Sequence, residues 1–468
     1  MNWEQRYRFV QTARTSLVLW GVLALVGAMT SAPIVRFIDL QTDWAIFRYT
    51  PDGARSLLGT LAGSMLTFIV FVLSATLIVV QLASGQLTPR VIALVLASPA
   101  IKISLGALTF TYAFTLAALA RVEDRVPSLL VSIAVILNLV CIIVFFEFVQ
   151  LLSRGLRPAH LMLLVGDHAQ DVIDEVYPVI FDPQTPEQAA SGACPVAGAQ
   201  VIEFVGRSGV VMAFSLEHLI RLAIVTDSVI ELLPQVGDSV TRGDPLFRVY
   251  GGTRPVSPQS LRACVAVGTE RTLDQDPRFA FRILVDIANK ALSPAINDPT
   301  TGVLALDQIN NLLLRLGRRR LDEGLANDRA GKLRVVYGTP DWPDYVTLAV
   351  SEIRQYGEGS LQVSRRLRAM LEHLIATLPE ARWPALQQEL AMLNCAVARK
   401  FPDEEDRKRA GVGDYQGVGG RRFRLSTRGK ETIPNWLGMT HTLRRATADP
   451  NAFQMRKLPS ASSGIRSG

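Results

Sequence analysis

The sequence predicts an α-helical membrane bundle of four transmembrane helices, followed by a soluble α+β region with a small β-barrel- or sandwich-like module. Three observations carry that prediction. Four long apolar runs, three of them without a charged residue, crowd into the first third of the chain. The 468 residues are 49% hydrophobic with a mean hydropathy of +0.24, more apolar than soluble domains alone require. Residues 200–250 then break into short β-branched runs separated by turn residues.

A bilayer core takes about 20 mostly apolar residues in a helix, and the runs at 16–35, 57–83, 103–120 and 128–151 satisfy that length. The first follows a basic stretch (Arg6, Arg8, Arg14) as a signal peptide would. Its apolar core is long and three more spans follow, so it reads as a retained helix. The second carries Gly59 and Gly63 at the small-xxx-small spacing that lets helix backbones approach closely. Its hydroxyls (Thr60, Ser64, Thr67, Ser74, Thr76), like Thr109, Thr111 and Thr115 of the third, can bond carbonyls of the preceding turn, so packing explains them without a pore. The fourth holds Asn138 near its middle and Glu147 close to its end. Amide and ionisable groups at membrane depth usually face the protein interior and often mark function, which makes these two the intramembrane candidates.

Basic residues beside the spans predict orientation. The N-terminus (Arg6, Arg8, Arg14), the second loop (Arg90, Lys102) and the exit of span four (Arg154, Arg157) are basic. The alternate loops carry Arg36, Arg48, Arg55, Arg121 and Arg125 matched by Asp39, Asp43, Asp52, Glu123 and Asp124. Both termini are therefore expected in the cytoplasm. The net charge of +7 is a property of the tail: from Arg407 onward the balance is +10, leaving −3 for residues 1–406. Such a tail can rest on anionic lipid headgroups; nothing in it points to a specific nucleic acid. Cys141, Cys194, Cys264 and Cys395 lack metal-ligand or disulfide-framework spacing, and the five histidines are solitary. No metal site is predicted.

The expected organisation is a transmembrane domain over 1–155, a helical connector and loop over 156–199, the small β module over 200–260, a mostly helical cytoplasmic domain over 261–400 and a basic, disordered tail over 401–468. The runs QVIEFV, GVVMAF, LAIVTDSVIELL and PLFRVY read as strands. The turn Gln235 to Leu246 places Gly237 and Gly243 where hairpins need positive φ. It resembles the GDxVxxGxPL turn of barrel-sandwich domains of the lipoyl/biotinyl type. No lysine stands in it to carry a cofactor, and none is predicted.

Residues 261–316 are the most informative. A strand LRACVAV ends at Gly268, and a charged turn follows with Glu270, Arg271, Asp274, Gln275 and Asp276. A helix over 278–292 is expected from Phe281, Leu284, Ile287, Ala288 and Leu292 on one face. Arg282, Asp286 and Lys290 on the other read as an ion-pair ladder. Ser293-Pro294 stops that helix, and Asn297, Asp298 and Pro299 start the next, with Asp298 as N-cap. The candidate functional block is thus Glu270, Arg271, Gln275, Asp276, Asp286, Asn297 and Asp298. A second reading lets Glu270, Asp274, Asp276, Asp286, Asp298 and Asp307 converge on a cation or a water. No P-loop, GxSxG, HExxH or GxGxxG stands in a supporting context, so no catalytic residue is assigned.

Two stretches, Gln81-Leu82-Ala83-Ser84-Gly85-Gln86-Leu87-Thr88-Pro89-Arg90 and the block from Gly268 to Pro299, resemble signatures of a bacterial family of predicted membrane proteins, domain-of-unknown-function family 2254. The resemblance covers roughly residues 10–400. Ala295 stands where the family is expected to carry glycine. The resemblance implies four N-terminal spans in the bacterial cytoplasmic (inner) membrane and a large soluble region, with no established activity. Three functions compete: an oligomeric channel or transport-related assembly with a cytoplasmic regulatory domain, a membrane-anchored scaffold or sensor, and an enzyme using the carboxylates of 270–307. The partners expected are the bilayer and further copies of the chain.

Overall fold

The computed structural model describes residues 3–42, 47–86, 88–91, 98–123, 126–155, 157–184, 199–321 and 324–414. A polar helix α1 (Trp3–Thr15) leads into α2 (Leu17–Thr42), and α3 (Pro51–Gln86), α4 (Pro99–Leu119) and α5 (Ser128–Gly155) follow. The last four are the membrane-crossing candidates among the described residues. The 36 residues of α3 make a helix about 54 Å long, well beyond the roughly 30 Å of a hydrocarbon core. Its end therefore projects toward the soluble region.

Helix α4 is the centre of the bundle, packed against α2, α3 and α5. Apolar residues fill both halves: Ala28, Leu58, Phe114 and Leu130 in one, Met65, Leu108, Cys141 and Phe148 in the other. Between them runs a short polar ladder. Asn138 Nδ2 donates to Thr115 Oγ1 at 2.9 Å and to the Ala134 carbonyl at 2.8 Å, while Cys141 Sγ lies 3.1 Å from Thr111 Oγ1. Such bonds between helices hold α5 to α4 in a medium that offers no competing water. Two charges expected in loops lie instead in the helix ends of α2 and α3 and bond within the bundle: the Asp39 carboxylate accepts from Leu129 N at 3.1 Å at the start of α5, and Arg55 Nη2 donates to the Val122 carbonyl at 3.1 Å. Glu147 lies on the exposed face of α5, about 12 Å along the axis from its C-terminal end.

The soluble region begins with α6 (Pro158–Val176). Strands β1 (Gln200–Glu203) and β2 (Gly209–Phe214), helix α7 (Leu216–Thr226), strands β3 (Ser228–Leu232), β4 (Ser239–Val240) and β5 (Pro245–Gly251), helix α8 (Pro258–Arg262) and strand β6 (Val265–Gly268) follow. Then come α9 (Pro277–Ala291), α10 (Pro299–Gly317), β7 (Leu325–Asn327), β8 (Leu333–Tyr337), α11 (Trp342–Gly357), α12 (Leu361–Thr377), α13 (Trp383–Lys400) and α14 (Glu404–Ala410). The run LAIVTDSVIELL is not one strand. Its first half closes α7, whose Leu219 and Ala223 are buried one turn apart, and Asp227 at φ 50° turns the chain into β3. Helical spacing of the apolar residues outweighs their β-branching there.

The strands form two sheets, ordered β1-β5-β3-β8-β7 and β4-β2-β6, with β3 and β8 parallel and every other pair antiparallel. The expected barrel does not close. Its edge strands β1, β7, β4 and β6 are four, three, two and four residues long, and no ladder joins one sheet to the other among the described residues. Strands from 265–268 and 325–337 also join those from 200–251, which ties the β module to the helices. Those helices α6 and α9 to α13 share one core built around Phe281, Leu284, Leu306, Tyr345, Leu367 and Leu371. Of the sequence expected as a tail, Glu404–Ala410 is helical, with three acids in its first turn and three bases in its last matching the helix dipole. Residues 415–468 and Cys194 lie outside the described residues; Cys141, Cys264 and Cys395 are free.

The two turn glycines behave as their spacing predicts, both at φ 95°. Asp238 and Asp244 clasp the two turns by accepting from Gln235 N at 2.9 Å and Thr241 N at 2.7 Å. Their surroundings differ: a Cβ at Gly243 meets nothing within 4 Å, whereas one at Gly237 falls 2.5 Å from the Arg271 guanidinium. Gly243→Ala should therefore cost only backbone strain, about 1–2 kcal/mol. Gly237→Ala should cost that and displace Arg271 as well. Urea unfolding of both variants checks the order, and equal losses would show that Arg271 is not held there.

Candidate functional site

The block predicted to matter is only partly enclosed: Asp276 is buried, while Glu270 and Asn297 are exposed. Between Asp274 and Lys290 it forms a surface on which the soluble region meets the membrane bundle. Asp276 caps α9, its carboxylate accepting from Phe279 N at 3.0 Å. Arg271 closes over it, with Nε and Nη2 at 2.9 and 2.5 Å from Asp276 Oδ2, and lies 5.1 Å from the Phe279 ring centroid. Burial pushes the Asp276 carboxyl above its usual range, and Arg271 pulls the other way. Gln275 Oε1 accepts from Phe214 N at 3.0 Å and pins the turn to β2. At the far end of α9, Asn297 takes φ 49°, and Asp298 caps α10 by accepting from Thr301 N at 3.1 Å, as Pro299 at the first helical position predicts.

Two pieces of the membrane domain grip this surface. From α1, Tyr7 OH donates to Asp274 Oδ2 at 2.7 Å, Gln11 bonds the same carboxylate, and Arg14 lies 3.5 Å from its other oxygen. Arg8 Nη2 donates to the Val267 carbonyl of β6 at 2.9 Å. Burial holds the Tyr7 phenol far above the usual tyrosine range. From the exit of α3, Arg90 pairs with Asp286 and stands 6.0 Å from the Phe279 centroid, and the Ser84 carbonyl accepts from Lys290 Nζ at 2.8 Å. The expected ladder is thus only half formed: Arg282 stands 3.8 Å from Asp286 and 2.7 Å from Glu352, while Lys290 reaches across to the bundle.

Arg14, Arg90, His168, Glu270, Arg271 and Phe279 line a cavity of about 450 Å³ at this junction. Glu270 is exposed at its rim. The six carboxylates of the cation reading do not converge. Asp274, Asp276, Asp286, Asp298 and Asp307 go to Tyr7, Arg271, Arg90, Thr301 and Arg366 respectively, and no group of three metal-ligating side chains is placed to hold a metal among the described residues. Sequence reasoning missed the α1 contacts, because Tyr7 and Gln11 lie more than 250 residues from their partners in a helix too polar to draw notice.

Burial also pushes the Asp286 carboxyl up, against the opposing pull of Arg90 and Arg282. A raised carboxyl binds its proton more tightly in the folded chain, so its contribution to stability falls as pH rises from about 4, the unfolded value. The stability of the wild type relative to Asp286→Asn should therefore decline between pH 4 and 7. Unfolding midpoints across that range test the sign, and a difference that grows with pH would contradict it.

The two stretches that set the sequence apart, 81–90 and 268–299, therefore touch each other through Arg90–Asp286 and Ser84–Lys290. The profile of the family described as "Predicted membrane protein (DUF2254)" matches residues 14–373, which takes in both stretches and all four spans. Uncharacterized proteins of Mycobacterium tuberculosis and Mycobacterium bovis are each 29% identical over 423 residues, covering 85% of this chain and 79% of the relative. No solved structure matches. With most of its length matched, spans and junction alike, the chain belongs to the DUF2254 family of predicted membrane proteins.

Proposed function

We propose that the chain works as a homo-oligomeric, transport-related assembly of the bacterial inner membrane, with both termini cytoplasmic and the soluble region setting the position of α3. One observation carries this reading: the helix gripped by the soluble region at its exit is also the one with an unpartnered small-residue face inside the membrane. A Cβ at Gly59 or Gly63 would meet nothing within 4 Å. Around them Thr60, Ser64 and Thr67 donate to their own helix carbonyls at 2.9, 2.9 and 3.1 Å, so the face is smooth and self-satisfied, as close helix contacts require. Apolar side chains fill most of the interior of the single bundle, and the ladder of Asn138, Thr115, Thr111 and Cys141 bonds within itself, so a conduction path would lie between copies, where the exposed Glu147 is available to it. The scaffold reading leans on the basic tail, most of which lies outside the described residues.

The test is liposome flux, under several ions and tensions, alongside the mass of the purified protein. Wild-type protein should be oligomeric and raise flux above protein-free vesicles. Gly63→Leu, at an exposed position where a Cβ meets nothing within 4 Å in one copy, should lower both. A monomeric wild type, or flux equal to empty liposomes, would overturn the proposal.

A further inference from the structure

A second cavity, of about 350 Å³, borders the turn into α9 at Gln275, Asp276 and Arg278. That volume is at the small end of pockets that hold organic ligands. Both sheets reach it: Phe214 ends β2, Tyr337 ends β8, and their ring centroids lie 5.1 Å apart. Trp3 of α1 and the buried Tyr177 and Tyr345 also line it, the two phenols bonding each other at 3.1 Å. Five rings from five separate segments thus meet around one space.

The polar groups of the lining are unbalanced toward donors. Gln275 Oε1 is taken by Phe214 N at 3.0 Å, Gln235 Oε1 by Arg278 Nη1 at 3.3 Å, and the Asp276 oxygens by Phe279 N and Arg271. Among the described residues that long bond to a neutral amide is the only hydrogen bond of the Arg278 side chain, and the side-chain nitrogens of Gln235 and Gln275 donate to no protein group. Arg278 is half-buried in the first turn of α9, where a cation opposes the helix dipole, so helix stability does not account for it. Glu175 and Glu217 also line the cavity; both are exposed, and Glu217 stands 3.3 Å from Arg221.

We infer that this cavity binds a small aromatic carboxylate, with its ring among Phe214, Tyr337 and the two buried tyrosines and its charge on Arg278, Gln235 and Gln275 donating beside it. Aromatic walls favour a planar body, because ring–ring contacts add to the burial of area. A guanidinium takes a carboxylate through two parallel N–H bonds, and the Nε and Nη2 side of Arg278 is free for them. One guanidinium with two exposed acids at the rim suits a single negative charge better than the two of a phosphate monoester. Nothing in this inference depends on an oligomer or on transport.

Equilibrium dialysis of radiolabelled benzoate against the full-length chain in detergent, with protein-free micelles as the blank, tests the site. Binding should saturate at one benzoate per chain. Cyclohexanecarboxylate, with the same charge and no aromatic ring, should compete roughly fivefold less well, the worth of one aromatic contact. Phenyl phosphate should also compete less well than benzoate, and neutral benzyl alcohol should not compete. Arg278→Gln should weaken benzoate at least about tenfold, the equivalent of a hydrogen bond to a charged group. Phe214→Leu should bring benzoate down toward the level of cyclohexanecarboxylate and leave the latter unchanged. That variant and the wild-type competition series decide the matter if Arg278→Gln does not fold. No saturable binding above the micelle blank, undiminished binding by Arg278→Gln, or a competitor without a ring or without a single negative charge matching benzoate would overturn the inference.

Discussion

Replacing Asp276 with alanine is expected to destabilise the soluble region by about 3 kcal/mol. Two losses combine. Phe279 N at the start of α9 loses its acceptor, and Arg271, 29% exposed on its side chain, loses the carboxylate that holds it over the Phe279 ring. Asn keeps an oxygen for the cap and gives up the charge, so Asp276→Asn should lose less, about 1–2 kcal/mol. Arg271→Leu leaves the buried carboxylate without its guanidinium and should also raise the pH at which that carboxylate releases its proton. Urea unfolding of the detergent-solubilised chain measures all three. An alanine variant within 0.5 kcal/mol of the wild type, inside the noise of such extrapolations, would show that this pair is not what fixes the turn.

Arg382→Ala should cost as much, about 3–4 kcal/mol, though it lies far from the junction. Its side chain is buried at 3% exposure, donates to the carbonyls of Gly317, the last residue of α10, at 3.4 Å and of Arg319 just beyond it at 3.1 Å, and sits 4.7 Å from the Phe181 centroid and 5.4 Å from that of Trp342. Its own carbonyl accepts from Trp342 Nε1 at 3.0 Å. Truncation removes a cation from a helix C-terminus and leaves a void between two aromatic rings. Lysine keeps the charge and loses the planar fork that stacks and donates at once, so Arg382→Lys should recover little. Thermal unfolding comparing the two variants tests this, and full rescue by lysine would mean that charge alone matters.

The four spans were legible because the requirement for them is local: each must be long and apolar whatever surrounds it, and the runs at 16–35, 57–83, 103–120 and 128–151 all fall on the observed helices. The cap at Asp298 and the glycines at 237 and 243 were legible for the same reason, since a cap or a positive φ involves residues within three or four positions; the cap at Asp276, one residue ahead of the helix start expected at 278, was not foreseen. The second half of LAIVTDSVIELL forms a strand, but its first half ends a helix, because β-branched residues at helical spacing serve either structure and packing against β8 chooses. Closure of a barrel was not legible at all. It depends on the lengths of edge strands, and one of these arrives from residues 325–327.

The sequence by itself determined where the apolar spans are, which segments stand apart and how α10 starts. Only the tertiary structure decided that the two distinctive stretches are one feature: Arg90 and Asp286 are 196 residues apart, Ser84 and Lys290 206, and no periodicity links them. The physical reason is that ion pairs and side-chain hydrogen bonds act over a few ångströms of space, while pattern in a sequence reports only neighbours along the chain. The four spans therefore mark the bilayer, and the 268–299 block holds the soluble region to them.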